Sequence, residues 1–249
     1  MKKTIREFDI NNKKVIISMY STFLQRAYDE IHHDISRLNL KPLFLIDRSG
    51  LVGQDGETHQ GIYDESFLYT IPNTYISMPS NEKEASYLLN LGLNNDFDGP
   101  MFIRYPRGYC SNFDNVNLED GVIYSRNLKH VDNKDLLIIT VGPHSNELVS
   151  IINNENINAE IDLMLFVKPI DKNILNKALE YKTVIVYNPY STRHGFVNNF
   201  VFELNKLNFK NNIITFEIPD EYIKYGSYST QLKNLKLRPI DIVDKIKNL

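Results

Sequence analysis

Three short stretches carry the side chains best suited to chemistry. The first is Arg48–Gly61, RSGLVGQDGETHQG. Its glycines 50, 53, 56 and 61 let the backbone turn tightly and approach a ligand, while Asp55 and His59 add an acid and an imidazole. The second is R104-Y-P-R107-G, where two guanidinium groups flank a rigid Tyr-Pro and could clamp a phosphate. The third is Tyr20-Ser21-Thr22, at a predicted helix start where backbone N–H groups attract an anion, with Arg26 one turn further on. Each has a plainer alternative: a surface loop turning at Asp55-Gly56, arginines paired with surface carboxylates such as Asp47 or Asp55, and simple helix capping. Cys110, the single cysteine, has no evident activating neighbour, and without a second one there is no internal disulfide or cysteine-based zinc cluster. His32 and His33 are adjacent on a predicted helix and so should point in different directions. No Walker-type or dinucleotide-binding glycine pattern and no His-Glu-x-x-His occurs.

The elements that must position these groups follow from apolar periodicity. Strands are expected at Lys14–Tyr20, Pro42–Asp47, Thr74–Met78 and Met101–Tyr105. Helices are expected at Thr22–Leu38, opened by a Thr22/Gln25 capping box, near Asp64–Thr70, and at Asn81–Leu93. Residues 109–134 read as a linker with at most one short strand. Alternation then resumes with strands at Asp135–Gly142, Ile161–Phe166, Thr183–Tyr187 and Ile213–Ile218. Helices are expected at Ser145–Asn153, Asp171–Tyr181, Arg193–Leu207 and from Pro239 to Leu249. The pattern predicts an α/β protein of two units with mostly parallel sheets, 1–108 and 135–249. Ligands of such sheets gather beyond the carboxyl ends of the strands, and all three chemical stretches lie there.

Composition narrows the function. With 249 residues, 42% hydrophobic and 24% charged, the chain can bury a sizeable core. A net charge of −3 argues against bulk nucleic-acid binding. No apolar run suits a membrane span and no secretory leader is evident, so a cytoplasmic or other reducing compartment is expected. Poor helix formers such as Asn abound while Ala is scarce, so the helices must rely on tertiary packing.

Several strings together resemble a known family. Y20-S-T-F-L-Q-R-A-Y-D29, I46-D-R48, G53-x-D-G-x-T-H59-Q-G61, P79-S and R104-Y-P-R-G108 are similar to 1-deoxy-D-xylulose-5-phosphate synthase, a thiamine-diphosphate-dependent member of the transketolase group. The resemblance runs from about Val15 to the end, densest through Gly108. It implies an N-terminally truncated pyrimidine-binding domain followed by a transketolase C-terminal domain. It places Tyr20 and Phe23 beside the cofactor's aminopyrimidine. It gives Arg48 and Arg107 the phosphate of glyceraldehyde 3-phosphate, makes Asp55 and His59 active-site groups near the substrate hydroxyls and reacting carbons, and makes Arg26 a further active-site arginine.

The departures are as informative. The family's Gly-Asp-Gly signature for Mg²⁺ and diphosphate is absent. So is its G-I-A-E-Q-H motif, whose glutamate activates the cofactor. Glu7 precedes Tyr20 in a different context, and Tyr187-Asn188 stands where the family usually has acidic residues. The expectation is an enzyme part completed by a homodimeric partner or a complementing chain, binding thiamine diphosphate and Mg²⁺ only weakly alone. The alternatives are a non-catalytic homologue binding a phosphorylated ligand or a partner subunit, and a remnant.

Overall fold

The structure, a computed structural model, describes residues 5, 7, 13–94, 97–108, 118 and 121–249. Cys110 and much of the expected linker lie outside these. Among the described residues two five-stranded sheets form. The first contains β1 (Ile16–Tyr20), β2 (Leu43–Asp47), β3 (Tyr75–Ser77), β4 (Met101–Arg104) and β8 (Phe166–Lys168), in the order β1-β2-β4-β3-β8. The second contains β5 (Ser125–Lys129), β6 (Leu136–Val141), β7 (Glu160–Met164), β9 (Thr183–Thr192) and β10 (Asn212–Ile218), in the order β10-β9-β6-β7-β5. All pairings are parallel except β3 with β8 and β5 with β7.

The central strands show why. LLIITV of β6 is buried at every position, as a parallel strand covered on both faces requires. Phe44 of β2 and Phe102 of β4 stack at 4.5 Å across the first sheet. Each such side chain removed from water contributes about 1.5–3 kcal/mol.

The sequence expectations need three corrections. The expected Ile161–Phe166 strand is two strands. The backbone leaves the second sheet at Leu165, whose N–H donates to Tyr124 O at 3.0 Å, and Phe166–Lys168 then joins the first sheet. The apolar run is continuous because both sheets bury it. The segment read as a linker with at most one short strand holds one, β5. A helix at Tyr228–Leu235, unforeseen, precedes the final helix Pro239–Ile246.

The third correction concerns Thr22–Leu38, which is not one α-helix. It runs as an α-turn (Ser21–Leu24), a 3₁₀ turn (Gln25–Ala27), a π-helical stretch (Glu30–Ile35) and a further 3₁₀ turn ending at left-handed Asn39. There is no side-chain cap: the Thr22 hydroxyl donates instead to Thr58 O at 2.7 Å. The buried stripe Leu24, Ile31 and Ile35 survives, so packing rather than regular helical bonding fixes the segment. The rings of His32 and His33 meet edge to face with centroids 4.6 Å apart.

Candidate functional site

Strands β1, β2 and β4 are parallel neighbours, so their carboxyl ends lie side by side. The residues just past those ends therefore meet. The loop after β2 is closed at its neck by paired backbone bonds between Gly50 and Gly61, at 2.6 and 2.8 Å. Gly61 must be glycine because a Cβ there would collide with the Arg48 carbonyl. Within the loop, Gln60 accepts from Val52 N at 3.0 Å and donates to Gly56 O at 3.1 Å.

The seven residues singled out in the sequence form one unbroken set of contacts. Tyr20 and Phe23 stack with centroids 5.8 Å apart. The Arg48 guanidinium lies over the Tyr20 ring at 4.2 Å, and that of Arg26 over Phe23 at 5.1 Å. His59 meets Phe23 edge-on at 5.8 Å, with Nδ1 3.0 Å from the Thr58 hydroxyl. Arg48 Nη1 bonds one carboxylate oxygen of Asp55, and Arg107 Nη1 bonds the other at 2.8 Å. The two arginines, from different strand ends, thus converge on one carboxylate, and the pairing of an arginine with Asp55 is the plainer arrangement that the sequence also allowed. Arg48 and Asp55 are mostly shielded, whereas the Arg107 side chain is 54% exposed.

Two hollows adjoin this set. One is lined by Ser18, Met19, Tyr20, Phe23, Arg26 and Ala27. Its stacked aromatic wall fits a flat heteroaromatic ring such as a pyrimidine, but its lining contains no carboxylate. The other lies between the Leu51–Gln54 turn, Arg107 and Ser227-Tyr228. Among the described residues no cluster of His, Cys, Asp and Glu is arranged to hold a metal ion.

Arg104 is not part of a phosphate clamp. It is fully buried, with Nε and Nη2 on Asp64 at 2.7 and 2.9 Å, Nη1 on Glu65 at 2.7 Å, and Nη2 also on Tyr190 O at 3.0 Å. Ser21 Oγ donates to Asp64 at 2.7 Å. Glu65 also accepts from Phe196 N at 2.8 Å and from Asn188 Nδ2 at 3.1 Å. Burial opposes the Arg104 charge, but Asp64 and Glu65 outweigh it and hold its pKa above the ordinary value. Burial pushes the Glu65 carboxyl up against the pull of Arg104. Asn188, at the place where an acid was expected, therefore serves as a neutral donor to a carboxylate. Asp64 and Glu65 had no sequence signal beyond two acids at a helix start, and Asn188 stood out only as a departure from the family.

Comparison with known proteins matches both halves of the fold. The profile of the transketolase pyrimidine-binding domain matches residues 9–111, and that of the transketolase C-terminal domain matches 126–242. The 1-deoxy-D-xylulose-5-phosphate synthase of Halothermothrix orenii is 38% identical over 86% of this chain and 34% of its own length. That of Mannheimia succiniciproducens is 37% identical over 96% of this chain and 38% of its own. The chain thus spans little more than a third of the curated relatives it matches. Among solved structures, a split-gene transketolase described as an inactive β4 tetramer superposes with a TM-score of 0.81 at 20% identity, over 99% of this chain and 79% of that one. Among the described residues no helix is long and apolar enough to cross a membrane. With both domains matched in order and synthases aligned along nearly its whole length, the chain belongs to the thiamine-diphosphate-dependent transketolase family and within it resembles the 1-deoxy-D-xylulose-5-phosphate synthases.

Proposed function

We propose that this chain is the glyceraldehyde 3-phosphate-binding part of a 1-deoxy-D-xylulose-5-phosphate synthase-like transferase, working in a cytoplasmic setting with a second chain that supplies the Mg²⁺–diphosphate domain and the activating glutamate. The observation that carries this reading is the convergence of Arg48 and Arg107 on one anionic group. The Asp55 carboxylate occupies the position that suits a phosphate, because two forked guanidinium groups can bond its oxygens in parallel. When a phosphate takes that place, Asp55 is released to accept from a substrate hydroxyl. His59 stands beside the aromatic wall, where it donates to or accepts from the sugar oxygen nearest the reacting carbons. Tyr20 and Phe23 hold the aminopyrimidine, and Arg26 closes the outer edge of that wall. The bound cofactor would supply the carbanion chemistry that side chains lack.

Reliance on a partner is supported by the lining of the aromatic hollow, which offers no carboxylate for the pyrimidine. The split-gene transketolase gives a parallel: a chain of like architecture, assembled with copies of itself as a β4 tetramer, is inactive. A second reading, a non-catalytic homologue that binds a phosphorylated ligand or partner subunit, is favoured by the same missing carboxylate.

Mixing the chain with one that carries the diphosphate domain, pyruvate and glyceraldehyde 3-phosphate tests both. Formation of 1-deoxy-D-xylulose 5-phosphate, lost with Arg48→Met, supports the first. Calorimetric binding of glyceraldehyde 3-phosphate without turnover in any mixture supports the second. Absence of both overturns the phosphate assignment.

A further inference from the structure

A buried side chain from the other half of the molecule bonds the backbone of the loop that carries Asp55. Gln231 lies 178 positions away from Gly53, on the helix Tyr228–Leu235, and is 3% exposed. Its Oε1 accepts from Gly53 N at 3.1 Å, and its Nε2 donates to Gly53 O at 3.4 Å and to Lys224 O at 2.9 Å. The carboxamide thereby matches both polar groups of one residue, as a paired strand would, and ties them to the segment before its own helix. Gly53 sits at φ +64°, and a Cβ there would lie 2.9 Å from Tyr228 N, so the two backbones pack as closely as glycine allows. Beneath them Leu51 and Ile62 of the first half share an apolar cluster with Ile218, Ile223, Leu232 and Leu237 of the second. The turn that Gln231 grips runs Gly53–Asp55, and Asp55 is the carboxylate on which Arg48 and Arg107 converge.

We infer that Gln231 is a positioning residue: it sets the Gly53–Asp55 turn, and through Asp55 the spacing of the Arg48 and Arg107 guanidinium groups. The function of that spacing in phosphate capture rests on the reading proposed above; the clamp itself does not. A hydrophobic residue of similar size would preserve the apolar packing under the loop but leave the buried Gly53 N–H and Lys224 carbonyl without Gln231. The turn would then open locally while the sheets stayed intact.

Arginine modification by phenylglyoxal, followed residue by residue with mass spectrometry, reads this without any substrate. Arg104, fully buried in its own network, reports global opening in the same sample. The expected result is that Gln231→Leu speeds modification of Arg48 and Arg107 by about threefold or more while Arg104 stays protected. In an Asp55→Asn background the same substitution should add nothing, because the clamp acts through Asp55. Gln231→Met removes the same three bonds with a more flexible apolar side chain, so it should give a rise of similar size at the same two arginines; it carries the test if the leucine variant does not fold. Unchanged rates at Arg48 and Arg107, an undiminished effect in the Asp55→Asn background, or a rise at Arg104 in step with the other two would each overturn the inference. None of these results bears on whether native chain binds glyceraldehyde 3-phosphate, so failure of the clamp and failure of the phosphate reading remain separable.

Discussion

Two arginine–carboxylate clusters lie within a few residues of each other at the ends of the same strands. Arg104 closes β4, and Arg107 follows it by three positions. The first meets Asp64 and Glu65 at zero exposure, with further bonds from Ser21, Asn188 and the backbone of Phe196 and Tyr190. The second shares Asp55 with Arg48 at the rim and keeps more than half of its side chain in solvent. The chemistry is the same and the satisfaction differs. In the buried cluster every oxygen is taken by fixed partners from both halves of the molecule, so it can only hold the halves together. In the rim cluster one carboxylate balances two cations that have donors to spare, so an incoming anion can replace it. Burial with complete pairing leaves the first cluster no donor to offer a ligand, whereas partial exposure with cations in excess leaves the second such donors.

The sharpest way to break this comparison is Arg104→Met. Removing one partner of a buried pair leaves the other charges uncompensated, at a cost of about 3–5 kcal/mol. Asp64 and Glu65 would both be stranded. Urea denaturation should show a loss in that range. A loss below ~1 kcal/mol would mean that the buried cluster is not what joins the halves.

Much of this arrangement was legible from local signals. Runs such as LFLID and LLIITV report parallel strands because both faces are buried, and parallel strands put Tyr20, Arg48 and Arg107 on one edge. Where the sequence misled, a long-range contact had replaced a local one. Thr22 looks like a helix cap but spends its hydroxyl on Thr58. Arg104 looks like the twin of Arg107, yet the last in-strand position turns it inward while the residue past the strand turns out. Gln231 gave no signal at all, since a carboxamide bonding a glycine 178 positions away leaves no periodicity or motif. The split of the 160–168 run was hidden because two different sheets bury it with the same residue types.

The next largest effect belongs to the rim. Arg48→Met should reduce affinity for glyceraldehyde 3-phosphate about tenfold, or ~1.4 kcal/mol, measured by calorimetry. Its cost to stability should stay within about 1 kcal/mol, as for other partly exposed pairs. A large stability loss with unchanged affinity would reverse the two clusters' assignments.

A third cation extends the comparison to one with no carboxylate in its bonds. Lys168 Nζ donates to the carbonyls of Leu68, Tyr69 and Ile71 at 3.4, 3.1 and 2.5 Å, closing the far end of the helix Asp64–Tyr69 whose start faces Arg104. Burial pulls its pKa down to about 8. With a folded pKa below the unfolded one, the unfolded chain holds more protons between about pH 8 and 10.5, so stability rises with pH through that window. Allowing for partial exposure, native chain should gain roughly 1 kcal/mol relative to Lys168→Met between about pH 7 and 9.5. Parallel denaturation curves at the two pH values measure it, and equal slopes for the two chains would show that the carbonyls hold the proton fully.

The smallest effect tests the rim cluster from its anionic side. Asp55 bonds both Arg48 and Arg107, and by bond count alone its removal should resemble the loss of Arg104. The environments say otherwise. Arg107 is mostly in water and Arg48 rests on the Tyr20 ring, so neither is left as a buried, unpaired charge. Exposed and partly exposed ion pairs contribute about 0–1 kcal/mol, and salt weakens them further. Asp55→Ala should therefore change the unfolding free energy by less than about 1 kcal/mol, with the difference shrinking as salt is raised from ~0.05 to ~0.5 M. A salt-independent loss near that of Arg104→Met would show that Asp55 fixes the loop as a structural centre. The reading of its place as one that a phosphate can take would then fail with it.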